Sequence, residues 1–223
     1  MLLPCLLVAF LVTVTAAEPK KCCVDKQFEA ILGEFGASLL PGQNTPYPLD
    51  GYSLMSYDYY AKMLRLEAHM NQPDGTVQIT NVIIDYKAGK EYVKTDAGCT
   101  VLDITEQMRE PCVPAISRFL GNTSFGYGDM ALKVNTWQYL KPGTDNVVNL
   151  VVTSDGCVPM VEASYGTMNN AKTDVVYFIT SFQPGIKDRS VFTLPSDCRT
   201  GGSAVGVVGR AVRAAKDLFG SGS

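Results

Sequence analysis

The residues that could do chemistry in this chain are mainly cysteines. Its 223 residues include seven cysteines and one histidine. Cys22 and Cys23 are adjacent, and neighbouring Cα atoms on a trans peptide lie about 3.8 Å apart. An unstrained disulfide prefers a wider separation of about 4.4–6.8 Å. If both cysteines are oxidised, each must therefore reach a different distant cysteine.

The first 17 residues predict an oxidising destination. Residues 1–17 carry no charge, are apolar from Leu6 to Val14, and end in the small residues Thr15-Ala16-Ala17. This pattern is typical of a cleaved secretory signal peptide, and the apolar run is too short to span a bilayer. Cys5 would leave with the signal, so six cysteines remain. An even number in an exported chain predicts three disulfides, although 15 connectivities are open. The six are Cys22, Cys23, Cys99, Cys112, Cys157 and Cys198.

Catalytic motifs are scarce. The single histidine, His69, sits on the polar face of a predicted strand, which argues against a multi-histidine zinc site. No serine lies in a G-x-S-x-G elbow, and cysteines committed to disulfides leave no thiol nucleophile. Paired carboxylates of the glycosidase type are not excluded by sequence alone. A net charge of −3 argues against a nucleic-acid partner. We predict that the chain is not an enzyme and has no cofactor, with calcium as the one candidate ion.

Hydrophobic periodicity predicts a mainly β protein. In residues 62–70, Leu64, Leu66, Ala68 and Met70 alternate with polar or exposed positions, as in a half-buried strand. Residues 25–35 remain open, since their apolar residues show helical spacing while Gly33 weakens a helix. Seven strands with turns between them predict antiparallel sheets folded over one core. They span residues 62–70, 76–86, 90–95, 131–139, 146–154, 158–165 and 174–182.

A series of short blocks resembles the ependymin-related family of extracellular proteins. The blocks cover about residues 22–198 in the family's order, and the last, GIKDRSVFTLPSDC, is the closest match. The family's Trp-Glu-Gly is Phe28-Glu29-Ala30 here, and Arg189 replaces a usual proline. The blocks are SYD at 56–58 with MLRLE at 63–67, DYKAGKEYV at 85–93, GNTSF at 121–125, VNTW at 134–137, GCVP at 156–159 and the block at 185–198.

The resemblance implies a fold and a disulfide pattern. The family's fold is similar to that of bacterial lipoprotein carriers: two antiparallel sheets curved into a half-open barrel around an apolar cavity, with few short helices. It implies bridges Cys22–Cys157 and Cys99–Cys198, which leave Cys23 for Cys112. It also implies a homodimer, and a single ependymin-like domain over residues 18–200.

The function implied by this fold is non-covalent binding of a lipid or fatty-acid-like ligand between the sheets. Methionine and aromatic side chains suit variable apolar ligands, and the chain has eight Met, eleven Tyr and nine Phe. Apolar inward faces also suit a filled core, which is the alternative for the same residues. The predicted lining comprises Leu64, Leu66, Ile83, Tyr86, Tyr92, Phe178 and Phe182.

A second function is also attributed to this family: a calcium-associated matrix or cell-adhesion glycoprotein. No acidic loop has EF-hand spacing, so no calcium ligands are predicted and the metal site is unknown. Asn122 lies in an N-x-S/T sequon, which predicts a glycan on an exposed loop. The expected location is extracellular, with the lysosomal lumen as an alternative.

The C-terminal residues 201–223 lie beyond the resemblance. Gly201-Gly202-Ser203 predicts a flexible joint, and Val205, Val208, Val212 and Phe219 follow at helical spacing beside three basic residues. The segment is predicted to be a flexible tail; docking on the domain and membrane contact are the alternatives.

Overall fold

The computed structural model describes residues 18–168 and 171–200. The predicted signal peptide, residues 1–17, and the predicted tail, residues 201–223, lie outside these residues. Strands dominate the described part of the chain, with two short 3₁₀ helices, Gly128–Met130 and Arg189–Phe192. The strands are β1 Gln27–Leu39, β2 Tyr47–Asp58, β3 Met63–Asn71, β4 Val77–Asp85, β5 Lys90–Thr95, β6 Gly98–Asp103, β7 Arg118–Phe125, β8 Leu132–Leu140, β9 Val147–Thr153, β10 Pro159–Met168, β11 Ala171–Pro184 and β12 Arg199–Thr200.

The predicted mainly β, unclosed architecture is confirmed, with the strands joined in one sheet rather than two. The strand order is β12-β6-β5-β4-β3-β2-β1-β11-β10-β9-β8-β7. Strands β1 to β6 form one antiparallel meander and β7 to β11 form another. The pairing of β1 with β11 joins the two meanders in the middle of the sheet. Among the described strands, the short β12 alone pairs in parallel, along β6.

Strand β1 resolves the segment that the sequence left open. Phe28, Ala30, Leu32 and Glu34 are buried in alternation, as in a strand. β11 passes so close to Gly36 that a Cβ there would lie 2.2 Å from the carbonyl oxygen of Asp174. The absence of a side chain at Gly36 therefore permits the central strand pairing, whereas a Cβ at Gly33 would meet nothing closer than 3.7 Å.

The connection between β6 and β7, residues 104–117, shows that the sheet is rolled. We name it the crossing segment. β6 and β7 stand ten strand spacings apart in the order, which is roughly 48 Å in a flat sheet. The crossing segment would need to be almost fully extended to span that distance. It contains a turn instead, in which the Ser117 amide donates to the Pro114 carbonyl at 3.0 Å. The two edges of the sheet must therefore curve toward each other.

Arg109 in the crossing segment contacts both halves of the sheet. Its carbonyl accepts a hydrogen bond from the Tyr57 hydroxyl on β2, and its guanidinium carbon lies 5.8 Å from the centre of the Tyr139 ring on β8. β2 and β8 are five strand spacings apart in the order. One face of the sheet thus curves around the crossing segment, and we call it the buried face.

The three disulfides tie this arrangement together. Cys22 pairs with Cys157 and Cys23 with Cys112, so the adjacent cysteines reach the β9–β10 turn and the crossing segment respectively. Cys99 pairs with Cys198 and holds the end of the described chain against β6. These are the pairs that the family resemblance implies.

Candidate functional site

The buried face carries an apolar cluster over strands β1 to β5 and β11. Phe28 belongs to this cluster, and its ring centre lies 5.0 Å from that of Tyr57 and 4.9 Å from that of Phe182. Met108 of the crossing segment packs into the same cluster. A smaller cluster over β7 to β9 contains Trp137 and Val113, so the crossing segment contributes to both. The buried members of the apolar cluster include Leu32, Met55, Leu64, Leu66, Val82, Ile84, Val93, Val175 and Ile179.

The seven side chains predicted to line one pocket lie on both faces of the sheet. Leu64, Leu66 and Tyr86 belong to the buried cluster, and Phe182 packs against it. Ile83, Tyr92 and Phe178 are on the opposite face.

The alternation of strand side chains explains this division. Ile83 pairs with Arg65 rather than with Leu64, and so points away from Leu64 and Leu66. Phe178 pairs with Gly33, one position away from the buried Glu34. One pocket cannot include all seven. Leu64, Leu66 and Tyr86 are buried and Phe182 is partly buried, so these four belong to a packed cluster, as the alternative of a filled core predicts.

Ile83 and Tyr92 line an outer cleft on the opposite face. Its volume is about 700 Å³, and it lies between β3–β5 and the segment after the second 3₁₀ helix. Lys94 Nζ lies 3.7 Å from the Asp197 carboxylate, and Arg65 pairs with Glu67. The outer cleft is lined by Arg65, Asn81, Ile83, Tyr92, Lys94, Val191, Thr193, Leu194, Pro195, Ser196 and Asp197.

A row of polar side chains interrupts the buried face. Glu34 of β1 stands opposite Tyr177 of β11, and Tyr177 stands opposite Glu162 of β10. All three are buried, and we call them the polar row. Directly opposite residues of neighbouring strands project to the same side of the sheet. Two carboxyl groups therefore flank one phenol in the middle of the buried face.

Burial dominates the electrostatics of the polar row. It raises the pKa of Glu162 to about 8, against the smaller opposing effect of the Arg109 and Lys141 charges. It also raises the pKa of Tyr177, with Glu34 and Glu162 adding to the rise. At neutral pH Glu162 is therefore predominantly an uncharged carboxylic acid that can both donate and accept hydrogen bonds.

The polar row was not predicted from the sequence. In residues 158–165 the apolar Val161 and Ala163 alternate with Glu162 and Ser164, and the polar pair is the more buried one. A weak signal was available, because Ser164 follows Glu162 at a spacing of two and both would share one face.

Other candidate residues have separate surroundings. His69 stacks on the Tyr52 ring with centroids 4.7 Å apart, and its Nε2 lies 2.9 Å from a Glu67 carboxylate oxygen. Asn122 is exposed on the edge strand β7.

Within residues 18–168 and 171–200, the one cluster with metal-binding geometry is Cys99, Asp197 and Cys198. Its two sulfurs form a disulfide, so they are not available as thiolate ligands. No helix in this part of the chain is long and apolar enough to cross a membrane.

The rolled, open sheet, its apolar buried face and its three disulfides define a disulfide-stabilised, mainly β protein with an apolar interior face. The ependymin family model matches residues 74–198, more than half of the chain. The chain belongs to the ependymin family.

Two relatives come from Haliotis asinina. Ependymin-related protein 1 is 28% identical over 200 residues, which cover 85% of this chain and 96% of that protein. Ependymin-related protein 2 is 28% identical over 130 residues, which cover 54% of this chain and 64% of that protein.

Two solved structures align loosely. An uncharacterized conserved protein from Thermus thermophilus aligns with a TM-score of 0.49 and 10% identity, over 79% of this chain and 90% of that one. A LolA superfamily protein from Nitrosomonas europaea aligns with a TM-score of 0.32 and 8% identity, over 76% of this chain and 91% of that one. At these scores neither alignment carries a functional argument.

Proposed function

We propose that this protein is a secreted, non-catalytic binder of a hydrophobic ligand, lipid or fatty-acid-like, held between the buried face and the crossing segment. The observation that carries this proposal is the apolar cluster itself. Its side chains come from one face of one unclosed sheet, and the crossing segment is what lies over them among the described residues. Family membership and the three disulfides support a ligand-binding, exported protein.

The chemistry of the cluster suits ligands of variable shape. Met55 and Met108 bring flexible, polarizable side chains to positions beside the stacked rings of Phe28 and Tyr57. Methionine adapts to irregular apolar shapes at low cost, and aromatic rings supply large contact areas. A ligand tail would enter by displacing these flexible contacts rather than by filling a rigid hole.

The location of the proposed ligand-binding site can be tested by photo-crosslinking the secreted full chain with a diazirine-bearing palmitate. We expect crosslinked peptides from the buried strands and from the crossing segment, around Met55 and Met108. The variant Leu66→Gln should reduce labelling several-fold, because it places an amide in the apolar cluster. Ile83→Gln is the matched control on the opposite face and should not reduce it. Labelling confined to residues 191–197 would transfer the site to the outer cleft, and no labelling would refute the proposal.

Native mass spectrometry of the same preparation tests the remaining expectations. We expect a homodimer that carries extractable lipid and a glycan. The alternative, a calcium-associated matrix or adhesion protein, predicts instead a change in melting temperature on chelation, with no bound lipid.

A further inference from the structure

The line of directly opposite residues that contains the polar row continues across the second half of the sheet. Glu162 of β10 stands opposite Leu150 of β9, and Leu150 stands opposite Trp137 of β8. Glu162 and Trp137 thus project from the same face two strands apart, about 10 Å at the usual strand spacing. Leu150 packs against the cluster that contains Trp137. Polar and apolar groups therefore alternate along this line.

Two atoms on this line lack hydrogen-bond partners among the described residues. They are Oε1 of Glu162, whose residue is 1% exposed, and Nε1 of Trp137, whose residue is 0% exposed. Buried polar atoms in folded proteins are usually paired, and an unpaired one costs free energy. One atom is an acceptor and the other is a donor, so they are two independent signs of a missing polar group.

A neutral group that both gives and receives hydrogen bonds would satisfy the two atoms. A hydroxyl can donate to Glu162 Oε1, while its own oxygen or a second oxygen of the same head group accepts from the indole N–H of Trp137. A carboxylate head can only accept hydrogen bonds, and burying its charge on this apolar face would cost free energy. It would also come close to Glu34 and Glu162, two carboxyl groups that flank Tyr177.

From this geometry, and resting on the proposed function, we propose that Glu162 of the polar row and Trp137 together bind the hydroxyl-bearing head of a neutral amphiphile. Its apolar tail lies in the apolar cluster over β1 to β5. The ligand class is therefore long-chain alcohols and acylglycerols rather than free fatty acids. Glu162 acts as the residue that determines this specificity.

The charge state of the row agrees with a neutral head. Burial raises the pKa of Glu162 to about 8, so at neutral pH it meets a hydroxyl without an ionic mismatch. The surrounding titratable groups are Glu34, Tyr177 and Tyr139 on the strands, with Arg109 on the crossing segment and Lys141 after β8. The positive charges of Arg109 and Lys141 would attract a fatty carboxylate. A fatty carboxylate is therefore the competing ligand, and the test includes it.

The test compares three probes with one chain length: dodecanol, dodecanoate and dodecylamine. Binding is measured at pH 7 by displacement of a fluorescent apolar probe from the full secreted protein. We expect dodecanol to bind at least tenfold more tightly than dodecanoate or dodecylamine. In Glu162→Leu this preference should fall at least tenfold. Glu162→Gln keeps an acceptor and a donor and should retain it. Asp129 is exposed in the β7–β8 turn, so Asp129→Asn is the control for removing an acidic side chain outside the proposed site.

The outcomes separate this inference from the function on which it rests. If no probe displaces the dye, the proposed function fails. If all three bind equally, or if dodecanoate or dodecylamine binds best, hydrophobic binding stands and the head-group assignment is wrong. If Glu162→Leu does not fold, retention of the alcohol preference in Glu162→Gln combined with its loss in Trp137→Phe would support the assignment. An unchanged preference in Trp137→Phe would then contradict it.

Discussion

The apolar cluster and the polar row occupy the same face of the same sheet, yet they have opposite chemistry. In the cluster, Phe28 and Tyr57 stack and Leu64 is fully buried, so burial stabilises the fold directly. In the polar row, Glu162 is equally buried but its Oε1 has no hydrogen-bond partner among the described residues. Burial there costs free energy that the rest of the fold must offset. The comparison separates a region whose burial stabilises the fold from a region whose burial the proposed head group would compensate.

The largest expected effect comes from the apolar side of this comparison. Leu64→Ala should lower the free energy of unfolding by about 2–5 kcal/mol, because it leaves a cavity among fully packed side chains. Ile83→Ala, on the next strand but on the opposite face, should cost much less. Urea denaturation of both variants measures the difference. Equal losses would mean that the two faces do not differ in packing.

Glu162→Gln should alter how stability depends on pH. The pKa of Glu162 is about 8 in the folded protein and near its ordinary value in the unfolded chain. Between these values the folded state keeps a proton that the unfolded state has lost. The free energy of unfolding therefore falls as pH rises from about 5 to about 8, by about 2–4 kcal/mol.

This contribution should be absent in Glu162→Gln, whose amide does not titrate. Asp129→Asn, which changes an exposed acid, should keep the wild-type pH dependence. The measurement is urea denaturation at a series of pH values. A Glu162→Gln curve that parallels the wild type would show that Glu162 is not the responsible group.

The crossing segment provides a smaller test, because it covers both regions. Tyr57→Phe removes the hydroxyl that donates to the Arg109 carbonyl. We expect a loss of about 1 kcal/mol in the free energy of unfolding. Hydrogen exchange should increase in residues 104–117 and remain unchanged in β7. An increase spread evenly over the sheet would argue against a local anchor.

The smallest effect is expected at the outer edge of the sheet. Asn122 is exposed on β7, far along the strand order from the apolar cluster. Asn122→Gln should abolish a glycan-dependent shift in electrophoretic mobility and change the free energy of unfolding by less than about 0.5 kcal/mol. Unchanged mobility of the wild type after glycosidase treatment would contradict the predicted modification.

The sequence predicted those strands whose alternation is regular. Strands β3 to β5 and β8 to β11 correspond to the seven predicted segments within a few residues. β1 was not predicted because Ile31 and Phe35 stand at a spacing that is typical of a helix. In the structure Ile31 is only half-buried and Phe35 is exposed. The pairing of β1 with β11 overrides that local pattern.

The faces of the strands were harder to predict than the strands themselves. Period-two alternation identifies two sets of side chains, but the crossing segment decides which set is buried. For β10 the apolar set, Val161 and Ala163, is not the more buried one. Arg109 of the crossing segment is close enough for its charge to act on the buried Glu162, and no local pattern in β10 encodes the path of residues 104–117.

The pairing of β1 with β11 also has a kinetic consequence. Each meander pairs strands that follow one another in sequence, whereas this junction brings Phe35 to Val176. Contacts between such distant residues carry the largest entropic cost of loop closure and slow folding. We therefore expect the two meanders to form first and the central junction last. Until it forms, β1 and β11 each present an unpaired edge for about a dozen residues, so the newly made chain is most prone to aggregation at the strands that later hold the polar row.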